Sequence, residues 1–128
     1  MKCDDKKQVT TVAKYANVQS VDITNPAVRC PVVLLLDTSK SMAGQPISEL
    51  EEALCQFIAE VQADVAASAS VELSIITLDE KGTVQLPFTS AMDLVPRKLG
   101  LKAAGGTFTG KALERAAETI SNRRMEYA

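Results

Sequence analysis

The residues at positions 37, 39 and 41 pose the first chemical question. In "LLLDTSKSM", Asp37, Ser39 and Ser41 place one carboxylate and two hydroxyls in a short turn directly after an apolar run. Oxygen-only groups at this spacing suit a hard divalent cation such as Mg²⁺, which takes six oxygens and keeps some of its water. The same residues would equally serve to close a turn and cap a following helix.

A second polar stretch, "GGTFTGKA", occupies residues 105–112. Gly105, Gly110 and Lys111 have the spacing of a phosphate-binding loop, but Ala112 stands where Ser or Thr would hold Mg²⁺. No β-branched run leads into it, and a glycine turn capped by Thr107 or Thr109 is the simpler reading. A phosphate-handling enzyme stays open as an alternative: Asp37 would accept a phosphoryl group and Lys40 or Lys111 would neutralise it. Lys40 otherwise reads as a solvated side chain; leaning inward, it would weaken cation binding by repulsion. The chain has no histidine, which excludes Ser-His-Asp and Cys-His nucleophiles and histidine-ligated zinc for this chain acting alone.

The elements that must position these loops follow from periodicity. Residues 32–36 form a continuous apolar run, the pattern of a strand buried on both faces of a parallel sheet. Pro46 suits the first turn of a helix, and Ile47, Leu50, Leu54, Phe57, Ile58, Val61 and Val65 recur at helical spacing. Leu54, Phe57 and Ile58 read as core, Cys55 as an inert buried thiol. Glu49, Glu51 and Glu52 read as a solvated helix start, favoured by the helix dipole, with the alternative that one of them approaches the first polar loop. Residues 71–78 and 83–88, separated by a turn at "EKG", predict two antiparallel strands. A short helix is expected around residues 95–99, and Leu113, Ala116, Ala117 and Ile120 mark a second amphipathic helix. This order belongs to an open α/β sheet, whose ligands bind outside the carboxyl ends of the strands. Both polar loops should lie there.

The chain-wide numbers set bounds. With 128 residues, one domain is expected, divided here into an extension with weak strands at residues 1–30 and a main unit at 31–128. A net charge of −2 with scattered Lys and Arg offers no field for a polyanion, so nucleic acid is not an expected partner. No apolar run approaches a membrane span and the N-terminus lacks a signal-peptide core, which points to a soluble cytoplasmic protein. Three cysteines without metal spacing, Cys3, Cys30 and Cys55, suit reduced thiols better than a disulfide framework.

Taken together, "DTSKSM" after "VVLLL", then "GQPISEL" and "GGTFTGKAL", resemble the von Willebrand factor A domain, and most closely its bacterial branch associated with tellurium resistance. The resemblance covers roughly residues 31–124. It implies a Rossmann-like open sheet whose rim carries a metal-ion-dependent adhesion site. Asp37, Ser39 and Ser41 match that site's first motif, and Thr107 matches the threonine of its second loop. The resemblance further implies Mg²⁺ or Mn²⁺, completed by an acidic side chain of a protein partner, and therefore a binding module rather than an enzyme. It also implies a third loop with an Asp, on a strand that would follow the second helix. The sequence accordingly reads as the N-terminal part of the fold, C-terminally truncated. The strand at 31–37 would then be an open edge, filled by the N-terminal segment, by a second copy or by another polypeptide. Self-association without metal is the expectation if the site is degenerate.

Overall fold

The computed structural model describes residues 28–97 and 99–127. The weak strands expected at residues 9–12 and 18–23 lie outside the described residues. Within them, strand β1 (Cys30–Leu36) leads through a single 3-10 turn (Lys40–Met42) into helix α1 (Gln45–Ala63). A short helix α2 (Val65–Ser70), strands β2 (Val71–Thr77) and β3 (Val84–Ser90), a second 3-10 turn (Ala91–Asp93) and helix α3 (Thr109–Glu126) complete the order.

The three strands form one sheet in the order β1-β2-β3. β1 runs parallel to β2, with Cys30 opposite Val71 and Leu36 opposite Thr77. β2 runs antiparallel to β3, with register irregularities on both sides of Ile75. Hairpin pairing of 71–78 with 83–88 is thus confirmed, and Pro87, which lacks a ladder donor, sits on an edge strand where that lack is tolerated. Asp79 closes the hairpin by accepting from Lys81 N and Thr83 N at 3.1 and 3.0 Å.

The roles of β1 and β2 are exchanged relative to the sequence pattern. The continuous apolar run β1 is mostly half-buried, because among the described residues it has a neighbour on one side only. The mixed strand β2 is the central one, buried from Glu72 to Thr77. Its polar residues go inside because each is partnered: Ser74 Oγ donates to Leu86 O at 2.8 Å, and Thr77 Oγ1 donates to Asp79 Oδ2 at 2.8 Å. A buried polar group with a partner escapes the desolvation penalty that the alternation rule presumes.

Helix α1 covers one face of the sheet. Leu54 and Ile58 join Leu36, Leu73, Ile75, Leu86 and Leu94 in the main core, with Leu50 and Phe57 packed beside them. The stripe ends earlier than its periodicity implied. Asp64 breaks the helix and caps α2, accepting Ala67 N at 3.0 Å, and Val65 is left 86% exposed. Cys55 is buried, but it is disulfide-bonded rather than a free thiol; Cys30 is free and exposed.

Helix α3 covers the other face, and here the expected stripe is rotated. Ala112, Ala116 and Arg123 face the sheet, whereas Leu113 and Ala117 are exposed. The reason is Arg123: its guanidinium donates to both carboxylate oxygens of Glu72 at 2.9 Å, and pulls a charged residue into the packing face. Tyr127 Oη donates to the same carboxylate. Among the described residues of 95–99 no helix forms; the 3-10 turn lies earlier, and residues 94–97 run without regular structure. Gln62 holds that segment instead, donating to Ala91 O at 2.8 Å and to Leu94 O.

Candidate metal site at the rim of the sheet

β1 ends at Leu36, so Asp37 begins the loop at the carboxyl rim. The Asp37 carboxylate accepts Ser39 N at 2.9 Å, an Asx-type turn that folds the loop back on itself. Ser39 is buried and its hydroxyl lies 3.0 Å from that of Ser41. Helix α1 follows with Pro46 in its first turn.

The second loop reaches this point by backbone bonds. Ala104 N donates to Thr38 O at 2.8 Å, Lys40 N to Gly105 O at 2.9 Å, and Phe108 N to Leu78 O at 2.9 Å. Gly105 has φ of 69°, a conformation that residues with a Cβ rarely adopt, and it turns the chain between these anchors. Thr107 is thereby delivered to the first loop, where its hydroxyl donates to Asp37 Oδ1 at 3.3 Å. Four oxygen-bearing side chains, Asp37, Ser39, Ser41 and Thr107, form one hydrogen-bonded chain from two loops 70 positions apart. The sequence-expected residues are all brought together.

Hydrogen bonds to the Ser39 backbone and side chain, with a smaller contribution from Thr107, hold the Asp37 carboxyl below the ordinary aspartate value against a small opposing effect of burial. Asp37 is therefore ionised at neutral pH. No Lys or Arg side chain among the described residues hydrogen-bonds to it. Lys40 is exposed, as a solvated side chain should be.

The donor set fits a hard cation. It is all oxygen, carries one negative charge, and its hydroxyls bond to one another and to the carboxylate rather than being used up by basic groups. It is not a carboxylate cage: among the described residues no group of three His, Cys, Asp or Glu side chains converges. Asp37 would hold the ion directly, with Ser39, Ser41 and Thr107 contributing hydroxyl oxygens or ordering its water.

The phosphate-loop features of "GGTFTGKA" do not assemble in the same way. Among the described residues no strand runs directly into the loop. Lys111 lies in the first turn of α3 and borders a surface depression with Lys81, Glu114, Arg115 and Glu118. Neither Thr107 nor Thr109 caps the helix: Phe108 is the residue before it, and no side-chain cap bond forms.

One positioning residue was visible in the sequence only as one of three glutamates that could turn toward the loops. Glu51 is not a solvated part of the helix start; it is buried, and its carboxylate accepts Leu101 N at 2.8 Å. It thus fixes the segment that leads into Gly105. A glutamate followed by two half-buried turns carries no local signal of this, since its partner lies 50 residues away. Beside the loops a cavity of about 260 Å³ opens, lined by Thr38, Thr77, Asp79, Gln85, Leu101 and Lys102.

Parallel β1-β2 pairing, helices on both faces and a polar rim made from the first and a later loop define an α/β domain with its ligand site at the carboxyl ends of the strands. Residues 32–127 match the family described as von Willebrand factor type A domain. The chain belongs to that family. A search of curated proteins finds no match. No helix among the described residues is long and apolar enough to cross a membrane.

Proposed function

We propose that this domain is a cation-dependent protein-interaction module, in which Asp37, Ser39, Ser41 and Thr107 hold Mg²⁺ or Mn²⁺ and the ion grips an acidic group of a protein partner. The observation that carries the reading is the Thr107 to Asp37 bond, which unites two distant loops at the rim. Family membership supports the interaction role. A bound ion would supply positive charge at a site that has a lone carboxylate, and so select an anionic partner group. The motif pair supports placement in the bacterial tellurium-resistance-associated branch; the cytoplasmic setting rests on the polar N-terminus alone, and the disulfide at Cys55 speaks against it.

Calorimetry with Mn²⁺ and Mg²⁺ tests the metal. Wild type should bind one ion, and Asp37→Ala should abolish the heat while the variant still unfolds in one cooperative transition. Equal binding by Asp37→Ala and Thr107→Ala would remove the site. Hydrolysis of nucleotides or phosphate esters that is lost in Asp37→Asn would favour the enzymatic alternative instead.

A second reading, a scaffold that self-associates without metal, is favoured by one observation: the side of β1 that has no neighbour among the described residues.

A further inference from the structure

The cavity beside the two loops holds a hydroxyl that the fold does not use. Thr38 is 7% exposed, and its side chain makes no hydrogen bond among the described residues, although its carbonyl seats Ala104 N. Every fully buried side-chain nitrogen or oxygen among those residues has a partner. The Thr38 hydroxyl therefore keeps some accessible surface, and the cavity that Thr38 lines is where it opens. A hydroxyl sunk this far without a partner costs stability unless a ligand bonds to it.

The rest of the lining is polar and already ordered. Thr77 Oγ1 donates to Asp79 Oδ2 at 2.8 Å and accepts Gln85 Nε2 at 3.5 Å. Asp79 Oδ1 accepts the amides of Lys81 and Thr83. Burial pushes the Asp79 carboxyl up, but the bonds from Thr83, Thr77 and Lys81 outweigh it and leave it lowered, so the group is ionised at neutral pH. All of these donors are neutral. Lys102 borders the same cavity, exposed and without an ion pair to Asp79. Asp79 Oδ2 keeps a lone pair, and Gln85 Oε1 takes no bond among the described residues. With the Thr38 hydroxyl, that makes three acceptors around one cavity and one uncompensated negative charge.

Such a lining suits a cationic head with several hydrogens to donate. A carboxylate would face Asp79, and an uncharged amide would leave its charge unanswered. A metal ion would lack ligands, since no three acidic groups converge among the described residues. A guanidinium offers five donors in one plane and leaves water more readily than an ammonium. The volume of about 260 Å³ admits that head with part of its stem.

We infer that the partner segment that places an acidic group on the rim cation also inserts an arginine side chain into this cavity, with Asp79, Gln85 and Thr38 as its acceptors. The acidic half rests on the proposed cation function; the arginine half stands without it. Thr38 lies between Asp37 and Ser39 in the chain, so cation site and cavity flank a single turn. They are separated by about 10 Å, a span of roughly three extended residues. The recognised motif is therefore one acidic and one arginine residue close together in sequence.

The arginine half is tested without the cation. In chelator, the full chain titrated with N-acetylarginine amide should show saturable shifts of the Thr38 and Asp79 backbone amides and of the Gln85 side-chain amide. Asp79→Asn should weaken this binding by at least about tenfold, and Thr38→Val by about threefold. Asp79→Asn retains Oδ1 for the two turn amides, and Thr38→Val removes a hydroxyl that bonds to nothing in the fold, so its unfolding midpoint should match wild type. Lys102→Ala should tighten binding by about twofold, because it removes a like charge. With Mg²⁺ present, capped peptides carrying Asp and Arg with none to three glycines between them come next. The best spacing should bind at least about tenfold tighter than the same peptide with alanine in place of arginine, and Asp79→Asn should erase that advantage. If only the cation reading fails, the titration in chelator still saturates and Mg²⁺ adds nothing. If the cavity reading fails, the peptides bind equally with arginine or alanine. Absence of saturable shifts with N-acetylarginine amide would overturn the inference, as would shifts that neither Asp79→Asn nor Thr38→Val alters. Preferential binding of N-acetylglutamate amide that Lys102→Ala abolishes would overturn it too.

Discussion

The two ends of the sheet each carry a carboxylate in a hydrogen-bonded cluster, and they are built to opposite purposes. At the base, Glu72 is buried with Arg123 against it and Tyr127 donating to it. Burial pushes the Glu72 carboxyl up, but the Arg123 and Tyr127 hydrogen bonds outweigh burial and leave it lowered. Arg123 also pairs with Glu126 and lies over the Phe88 ring at 5.8 Å. At the rim, Asp37 is held by a backbone amide and by hydroxyls, and faces water. The base carboxylate has its cation inside the chain; the rim carboxylate is preorganised with no cationic partner among the described residues. The first arrangement specifies packing, the second leaves charge available for a ligand.

The comparison breaks most visibly if the base is cut. Arg123→Met should leave the buried Glu72 carboxylate without its guanidinium partner and destabilise the fold by about 3 kcal/mol, read as a shift of the urea midpoint. The cation affinity of the surviving folded fraction should not change. Asp37→Ala should do the reverse, losing the cation at a smaller cost in the urea midpoint, that of the Ser39 amide and the Thr107 hydroxyl left without their acceptor.

The pH dependence sharpens the contrast next. Glu72 has a lowered folded value, so its contribution is full above the ordinary glutamate value of 4.5 and is lost as pH falls through the folded value. Burial, followed by the Glu72 contact, raises Tyr127, so its contribution is full below the ordinary tyrosine value of 10.0 and declines as pH rises above it. Unfolding monitored from pH 3 to 11 (roughly the range spanned by these groups) should therefore show a plateau between the two limits. Glu72→Gln should flatten the acid limb.

Gly105→Ala should act at the rim alone. Space is open around a Cβ there, so the cost is the positive φ, about 1 kcal/mol, accompanied by weaker cation binding as Thr107 shifts. Lys40→Ala gives the smallest effect. Removing one solvated positive charge should raise cation affinity by less than about threefold at physiological salt, measured by the same calorimetry.

Much of this was legible in the sequence, for identifiable reasons. β1, α1, β2, β3 and α3 each show a local period, and the Asp37, Ser39, Ser41 motif is contiguous, so neither depends on distant residues. Thr107 was found because its glycine loop is distinctive. What was hidden depends on long-range partners. Glu72 inside the central strand makes sense only with Arg123, and the rotated face of α3 follows from that pair. Glu51 is intelligible only with the Leu101 amide. Val65 was read into the helix stripe although "ADVAAS" contains the capping Asp64, a local signal that periodicity outvoted. At 95–97 the local signal against a helix was Pro96, which biases Val95 toward extended backbone.

The three main-chain bonds that seat the second loop have an implication for variation. They involve the amides of Lys40, Ala104 and Phe108 and the carbonyls of Thr38, Leu78 and Gly105, atoms that every residue type except proline can supply on the donor side. The course of the loop is therefore indifferent to most side chains along it, while Thr107 stays in place. Phe108, 44% exposed beside the site, is free to be exchanged on a fixed frame. A randomised library at Ala103, Gly106 and Phe108 should keep the oxygen cluster and change what it recognises.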